Sequence, residues 1–126
     1  MLRGFSFLII EDEVMQAAHL ADMIAGMGGT VSHKAYGFDQ ARDALYQHAF
    51  DCVLLDVNLG GTLSFPIVNT LQERGIPFVL CTAYAEALEV YPGLAGVPRL
   101  SKPIDPAALS QAILRVLNAS PKRRGR

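Results

Sequence analysis

Short apolar segments alternate with segments of helical periodicity along most of the chain. Continuous apolar runs of four to six residues are typical of strands covered on both faces, as in a parallel sheet. Three runs are strong, FSFLII (5–10), DCVLL (51–55) and PFVLC (77–81), and two are weaker, TVSHKA (30–35) and VPRLS (97–101). The pattern therefore predicts five strands.

Four of the intervening segments carry apolar residues at helical spacing. Gly28-Gly29 ends the first helix, and Asp39 is predicted to cap the second. Ser64-Phe65-Pro66 opens the third and Asp105-Pro106 the last. The predicted inward positions are Val14, Ala17, Ala21 and Ile24; Ala41, Ala44, Leu45 and His48; Ile67, Val68 and Leu71; and Leu109, Ala112, Ile113, Val116 and Leu117. Segment 83–96 is harder to interpret, because Pro92, Gly93 and Gly96 interrupt its helical stretch.

About five alternations of strand and helix predict an α/β domain, with a doubly wound five-stranded parallel sheet and helices on both faces. In such domains the working site lies at the carboxyl ends of the strands. We expect one domain over residues 1–121 and a basic, disordered tail over 122–126.

The composition agrees with one folded domain. The chain has 126 residues, of which 51% are hydrophobic and 18% charged. Its net charge is −1, but four basic residues lie in the last five positions. Residues 1–121 then hold 7 basic against 12 acidic residues, a charge of −5, which argues against nucleic acid as a partner.

The two cysteines and the apolar runs bear on the compartment. Cys52 and Cys81 have neither metal-ligand spacing nor a disulfide pattern, so we expect two buried thiols. The run at 5–10 leads directly into acidic residues, unlike a secretion signal, and no run is long enough to cross a membrane. These features predict a cytoplasmic protein.

Polar residues follow the strands, and right-handed crossovers bring the carboxyl ends of parallel strands to one edge. The residues concerned are Glu11-Asp12-Glu13 after the first strand, Asp56 after the third, Thr82 after the fourth and Lys102-Pro103 after the fifth. Clustered carboxylates repel unless a cation intervenes, and hard oxygen ligands favour Mg²⁺. With an ammonium and a hydroxyl nearby, such a site suits phosphoryl transfer to an aspartate.

Four motifs, each following its own strand, resemble the receiver domain of response regulators in two-component signalling. They are Glu11-Asp12, LLDVNLGG around Asp56, Thr82-Ala83 and Ser101-Lys102-Pro103, and the resemblance covers residues 4–118. It implies the flavodoxin-like receiver fold and a phosphorylation-dependent signalling switch rather than a turnover enzyme.

The resemblance also implies residue roles. Asp56 would accept a phosphoryl group from the phosphohistidine of a histidine kinase or phosphotransfer protein. Asp12, Asp56 and the backbone carbonyl of Asn58 would hold Mg²⁺ or Mn²⁺, with Glu11 assisting through water. Lys102 would pair with one phosphoryl oxygen and Thr82 would move to another. Lys102-Pro103 resembles the family's cis peptide bond.

One position departs from the family pattern. Many receivers carry Tyr or Phe three residues before the lysine, where this chain has Arg99. PFVLCTAY instead places Tyr84 after Thr82, and resembles a subgroup of mostly stand-alone receivers with a Pro-Phe-x-Phe-Ala-Thr-Gly-Tyr-like motif. Our hypothesis is that Thr82, Tyr84 and Arg99 belong to the switch, and that phosphorylation reorders residues 83–96.

Each residue also has a plainer interpretation. Asp56 and Thr82 could cap helices, Lys102 could be a surface lysine, and the acidic run could serve a helix dipole. The side chain of Asn58 could face the attacking water or stabilise a turn, where Gly60 and Gly61 serve the backbone. The remaining candidates, His19, His33 and His48, are interpreted as structural.

Two other functions remain open. One is a pseudo-receiver that binds partners without phosphorylation. The other is a small aspartyl-phosphate phosphatase of the haloacid dehalogenase kind, whose nucleophile, however, follows the first strand in an Asp-x-Asp pair. The downstream protein is unspecified, and a homodimer remains open.

Overall fold

The computed structural model describes residues 2–83, 93–94 and 96–119. Within these ranges the strands are β1 (Ser6–Ile10), β2 (Thr30–Ala35), β3 (Cys52–Leu55), β4 (Asn58–Leu59), β5 (Thr62–Leu63), β6 (Phe78–Thr82) and β7 (Arg99–Ser101). The helices are α1 (Val14–Gly26), α2 (Phe38–Gln47), α3 (Phe65–Glu73) and α4 (Pro106–Ala119). None of these four helices has the length and apolarity that a membrane span requires.

Five of the strands form a parallel sheet in the order β2-β1-β3-β6-β7, which confirms the predicted architecture. The central strands β1, β3 and β6 are the three strong apolar runs, because they are covered on both faces. Alternate strand residues point to opposite faces. Leu8, Val53 and Leu80 pack toward α2 and α3, whereas Ile9 and Leu54 pack toward α1 and α4.

The strand register brings the carboxyl ends level with one another. Ile10 lies opposite Leu55, Leu55 lies opposite Leu80, and Thr82 lies opposite Ser101. The residues that follow these strands therefore emerge at one edge of the sheet, as the sequence predicts. This edge holds the candidate site.

Several helix details differ from the prediction. Val14, expected to face inward, is 62% exposed, and Leu20 lies in the core instead. Val14 is the first residue of α1, and the buried residues of this helix begin at Ala17. His48 is exposed because α2 ends at Gln47, one residue before it.

The predicted helix starts are partly correct. Asp39 lies inside the first turn of α2 and does not cap it, since the cap position is Gly37. Asp105 does cap α4: its Oδ2 accepts a hydrogen bond from the Ala108 N–H at 3.0 Å. The predicted inward residues of α3, Ile67, Val68 and Leu71, are all buried.

A short hairpin follows β3, where the sequence predicts only a turn. Asn58 pairs with Leu63 and Leu59 with Thr62, in antiparallel register. Gly60 and Gly61 connect the two strands with φ values of 60° and 92°. Two successive positive φ angles match the tight hairpin turn whose twist suits the flanking strands, and glycine adopts them without steric cost.

The two cysteines are buried free thiols, as predicted. They lie on β3 and β6, in the core on the α1 and α4 side of the sheet. Burial raises the pKa of the Cys81 thiol to about 12 and raises that of Cys52 as well. Both thiols therefore act as small apolar side chains.

Gly29 is tightly enclosed, and Gly29→Ala is expected to destabilise the protein by about 1–3 kcal/mol through overpacking. A β-carbon there would lie 2.8 Å from Cγ2 of Ile24 and 2.9 Å from Cε1 of Phe7, both buried. The control is Gly26→Ala, where a β-carbon meets nothing within 4 Å. Urea unfolding should show a loss for the first variant and none for the second, and equal midpoints would contradict the packing.

Candidate metal centre

Lys102 joins two strand ends through its side chain. Its Nζ donates to Oε1 of Glu11 at 2.5 Å and to Oδ2 of Asp56 at 2.9 Å. Glu11 follows β1, Asp56 follows β3 and Lys102 follows β7, so these contacts span most of the sheet. The predicted convergence of distant chain segments at this edge is therefore present.

Three carboxylates lie together beside this ammonium. Glu11, Asp12 and Asp56 each offer one oxygen, and these oxygens all lie within 4.8 Å of one another. Glu11 and Asp56 are buried, whereas Asp12 is half-buried. A groove of about 250 Å³ opens onto Asp12 and Asp56 and is also lined by Asn58, Thr82 and Lys102. The cluster is therefore accessible to a small ion or a phosphoryl group.

Backbone hydrogen bonds continue the sheet beyond the strand ends and position these residues. The N–H of Asp56 donates to the carbonyl of Ile10 at 2.9 Å. The N–H of Lys102 donates to the carbonyl of Thr82 at 3.0 Å, and the N–H of Glu11 to that of Ala35 at 3.0 Å. The side chains thus start from a fixed backbone rather than from free loops.

The carboxylate of Asp56 is held on both of its oxygens. Oδ1 accepts a hydrogen bond from the backbone N–H of Asn58 at 3.0 Å, and Oδ2 accepts from Lys102. The main-chain carbonyl of Asp56 also accepts from Oγ of Ser64 at 3.0 Å. Ser64 is fully buried, and sequence reasoning assigned it only to the start of α3. Its contact with Asp56 has no local sequence signal, because it depends on the hairpin bringing the two residues together.

Burial and charge oppose each other at the lysine. Burial favours the neutral amine, but the hydrogen bonds and charges of Glu11 and Asp56 outweigh it, so the pKa of Lys102 is raised. A raised lysine pKa stabilises the fold at neutral pH, and this contribution is lost only as the pH rises through the raised value, above 10.5. The ammonium is therefore a permanent part of the site at physiological pH.

Glu11 shows the opposite balance. Burial raises its pKa, the hydrogen bonds from Lys102 and from the Glu13 N–H lower it, and the charge of Asp56 raises it; the net direction is upward. A raised glutamate pKa stabilises the fold below pH 4.5, its ordinary value. This contribution is lost as the pH rises through the pKa of the folded protein. The upward direction means that burial and the charge of Asp56 together outweigh the effect of Lys102 at this carboxyl group.

Asn58 and Thr82 occupy different parts of the groove. Oδ1 of Asn58 accepts the N–H of Gly61 at 2.8 Å, which is the turn-stabilising arrangement rather than a side chain facing an attacking water. Thr82 is the last residue of β6 and is buried, lining the groove beside Lys102. Lys102-Pro103 is a cis peptide bond, as the resemblance implies.

The two remaining switch candidates are Arg99 and Tyr84, and Arg99 lies apart from the groove. Arg99 begins β7 opposite Leu80 and does not line the groove. Its Nη2 donates to the carbonyl of Leu94 at 2.6 Å, and its buried Nη1 has no hydrogen-bond partner among the residues described. Tyr84 lies outside the described residues.

The histidines are not part of the acidic cluster. His33 and His48 stack with ring centroids 4.0 Å apart, and Phe50 meets His33 edge-on at 5.6 Å. Sequence reasoning treated the histidines as unrelated, because they belong to different elements. The end of α2 brings His48 back over β2, so the two rings form a small packing cluster.

Comparison with known proteins gives a consistent family. The model of the response regulator receiver domain matches residues 7–114. The receiver domain of the PhyR response regulator of Erythrobacter litoralis is 25% identical, with a TM-score of 0.82 and 94% of each chain covered. SdrG of Sphingomonas melonis is 30% identical, with a TM-score of 0.79 over 90% of this chain and 96% of that chain. No curated protein matches the chain.

A third solved structure shares the fold and holds a metal. The receiver domain of the sensor histidine kinase PA1611 of Pseudomonas aeruginosa contains a magnesium ion in its active-site cleft. It is 21% identical, with a TM-score of 0.78 over 91% of this chain and 98% of that chain. The family model covers most of the chain, and the sheet order, the strand ends and the acidic cluster agree with that family. The chain therefore belongs to the response regulator receiver domain family, a family of signalling modules rather than true enzymes.

Proposed function

We propose that this receiver domain is a phosphorylation-dependent switch with Asp56 as the phosphoacceptor. The observation that carries the proposal is the carboxylate of Asp56, buried, oriented by two donors, and open to a groove beside other acids. A helix-capping or turn role would not require Lys102 to reach across the sheet. The donor would be a histidine kinase or phosphotransfer protein.

The acidic cluster fits a divalent cation of the hard type. Carboxylate oxygens of Glu11, Asp12 and Asp56 lie within reach of one ion, and Asn58 would add its backbone carbonyl. Mg²⁺ or Mn²⁺ would supply the positive charge that the cluster lacks and that phosphoryl oxygens require. Glu11 would assist through water, because its side chain is engaged by Lys102.

The transfer itself needs little chemistry from the protein. A carboxylate oxygen of Asp56 forms a bond to phosphorus while the P–N bond of the phosphohistidine breaks, and the electron pair returns to the imidazole nitrogen. Lys102 then exchanges its contact with Asp56 for one with a phosphoryl oxygen. Thr82, buried at the neighbouring strand end, would donate its hydroxyl to another oxygen.

We infer that the response passes to the β6–β7 side. Movement of Thr82 would reorder residues 83–96, with Tyr84 in that segment as one switch residue. Arg99 occupies the position of the usual aromatic, and its Nη2 donates to the carbonyl of Leu94, which lies next to the proposed movable segment. The contact between Arg99 and the Leu94 carbonyl is thus a candidate for exchange.

The other interpretations have less support. The nucleophile candidate follows β3 rather than β1 and is followed by Val57-Asn58, unlike the Asp-x-Asp pair of haloacid dehalogenase phosphatases. A pseudo-receiver would need no acceptor, and the proposal is supported over it by the three carboxylates, the hydroxyl of Thr82 and the ammonium of Lys102 at this edge. We retain residues 1–121 as the proposed domain, with 122–126 as a tail.

Phosphorylation is tested by incubating the protein with Mg²⁺ and acetyl phosphate and measuring intact mass. We expect wild type to gain one phosphoryl group, and Asp56→Asn or wild type in EDTA to gain none. Asp51→Asn is the control and should gain the phosphoryl group like wild type. Asp51 is also a buried carboxylate, but its Oδ2 accepts a hydrogen bond from the Ser6 N–H at the other end of the strands. An adduct that persists in Asp56→Asn would exclude the proposed acceptor. The absence of any adduct with acetyl phosphate or a kinase would favour the pseudo-receiver.

Replacement of the lysine tests the charge balance. Lys102→Met should destabilise the metal-free protein by about 1–3 kcal/mol, because it leaves two buried carboxylates without their ammonium. Millimolar Mg²⁺ should recover part of this loss, since a bound cation takes over the neutralisation. The control Lys34→Met removes an exposed lysine and should change the free energy of unfolding by less than about 0.5 kcal/mol. Urea unfolding with Mg²⁺ or EDTA measures both effects. A Lys102→Met variant as stable as wild type in EDTA would contradict the charge argument.

The switch is tested with beryllofluoride, which imitates the phosphoryl group. In Mg²⁺-loaded protein we expect backbone amide shifts to change at Thr82, Ala83, Leu94 and Arg99 as well as in segment 84–92. Asp56→Asn should show none of these changes. Amide shifts that stay constant over 83–96 in wild type, despite changes at Asp56, would count against the proposed route.

A further inference from the structure

A second concave surface lies between α2 and α3, away from the acidic cluster. This α2–α3 groove has a volume of about 330 Å³. Its floor includes the buried residues Leu45 and Ile67, and its walls include Phe38, Pro66 and Tyr46. Tyr46 is 89% exposed, the most exposed large apolar side chain among the residues described. The groove is therefore an accessible apolar surface bordered by an aromatic ring.

The charged residues that line this groove all have the same sign. Arg42 and Arg74 border it, whereas the acidic residues of the two helices, Asp39, Asp43 and Glu73, do not line it. Nη1 of Arg74 donates to the carbonyl of Leu45 at 2.7 Å, which holds that guanidinium in place at the border. This positive border stands out on a domain whose residues 1–121 carry a charge of −5.

Arg42 remains accessible to a partner. It lies 3.4 Å from Asp39, but both side chains are mostly exposed, at 65% and 82%. Exposed ion pairs of this kind contribute little, because water screens them, so Arg42 can exchange Asp39 for another carboxylate. The groove thus offers the exposed guanidinium of Arg42 to a carboxylate of an occupant.

The residue types and shape favour a protein occupant. Tyrosine and arginine are enriched among the residues that dominate binding energy at protein interfaces. The volume is near the lower end of the range of small-molecule pockets, about 300–1,000 Å³, and the groove lies along helices of only two to three turns. Such a site suits two or three anchoring side chains of a helix laid between α2 and α3.

We propose that the α2–α3 groove binds an acidic amphipathic helix of a partner protein. Apolar side chains spaced at i, i+4 and i+7 enter the groove against Leu45 and Tyr46, while a carboxylate on the flank of the helix pairs with Arg42, and Arg74 adds positive charge at the border. The groove contains no residue of the acidic cluster. Binding here is therefore independent of phosphoryl acceptance by Asp56, and the two proposals can fail separately.

The probe is a phage-displayed library of random peptides of about 16 residues, long enough for four helical turns. Selection on the wild-type protein should enrich sequences with net negative charge and apolar residues at i, i+4 and i+7. The best peptide is then synthesised, and its affinity is measured by fluorescence anisotropy. Tyr46→Ala and Arg42→Glu should each weaken it by at least about tenfold.

Two controls accompany these variants. Arg115→Glu reverses an exposed charge on α4, far from the groove in sequence and on the other face of the sheet, and should leave affinity within about twofold of wild type. Asp56→Asn should also bind like wild type. Circular dichroism checks the fold of each variant, and exposed positions such as Tyr46 and Arg42 tolerate substitution.

Three results would overturn the proposal. The selection yields no enriched family, or its peptides are basic, or the best peptide binds Tyr46→Ala as tightly as wild type. The remaining alternative occupant is a second copy of this chain, and analytical ultracentrifugation tests for it. A dimer of the wild type that Tyr46→Ala dissociates would assign the groove to a second copy of this chain instead.

Discussion

The repulsion among clustered carboxylates is the constraint on which the rest of this structure depends. Two like charges about 4 Å apart cost on the order of 4 kcal/mol at the effective dielectric of a protein surface. Here three carboxylates share one edge, and Lys102 contacts two of them. One ammonium faces three carboxylates, and this is the imbalance that the proposed divalent cation would correct. The groove in front of Asp12 gives a cation access, and this combination separates the site from an ordinary buried ion pair.

The parallel sheet stabilises the protein enough to offset this unfavourable arrangement of charges. Backbone bonds from Asp56 to Ile10 and from Lys102 to Thr82 extend the ladder past the strand ends, so the charged side chains cannot separate by loop movement. The apolar strands β1, β3 and β6 supply the stabilisation behind them, on both faces. The energy of the core therefore holds the carboxylates of this edge together despite their mutual repulsion.

The sequence predicts the sheet and the residues at its edge because both depend on local patterns and one topological rule. Continuous apolar runs identify the buried strands, and parallel pairing then places Glu11, Asp56 and Lys102 at the same end. Prediction from the sequence fails for features that depend on packing between distant elements. Val14 has helical spacing but begins α1 outside the core, and the contact of Ser64 with Asp56 arises only after the hairpin forms. The stack of His33 on His48 joins two elements that no spacing relates.

The contacts of Asp56 are asymmetric, and this bears on the direction of the response. On the β1 and α3 side, Ile10 and Ser64 hold its main-chain N–H and carbonyl, contacts that phosphorylation of the side chain would not involve. On the β7 side, Lys102 contacts the carboxylate itself, which would change partners on phosphorylation. Strain from a new phosphoryl group would therefore be relieved toward β6 and β7, where Lys102 and Thr82 face the groove. The α3 side, which carries the α2–α3 groove, would keep its geometry in both states.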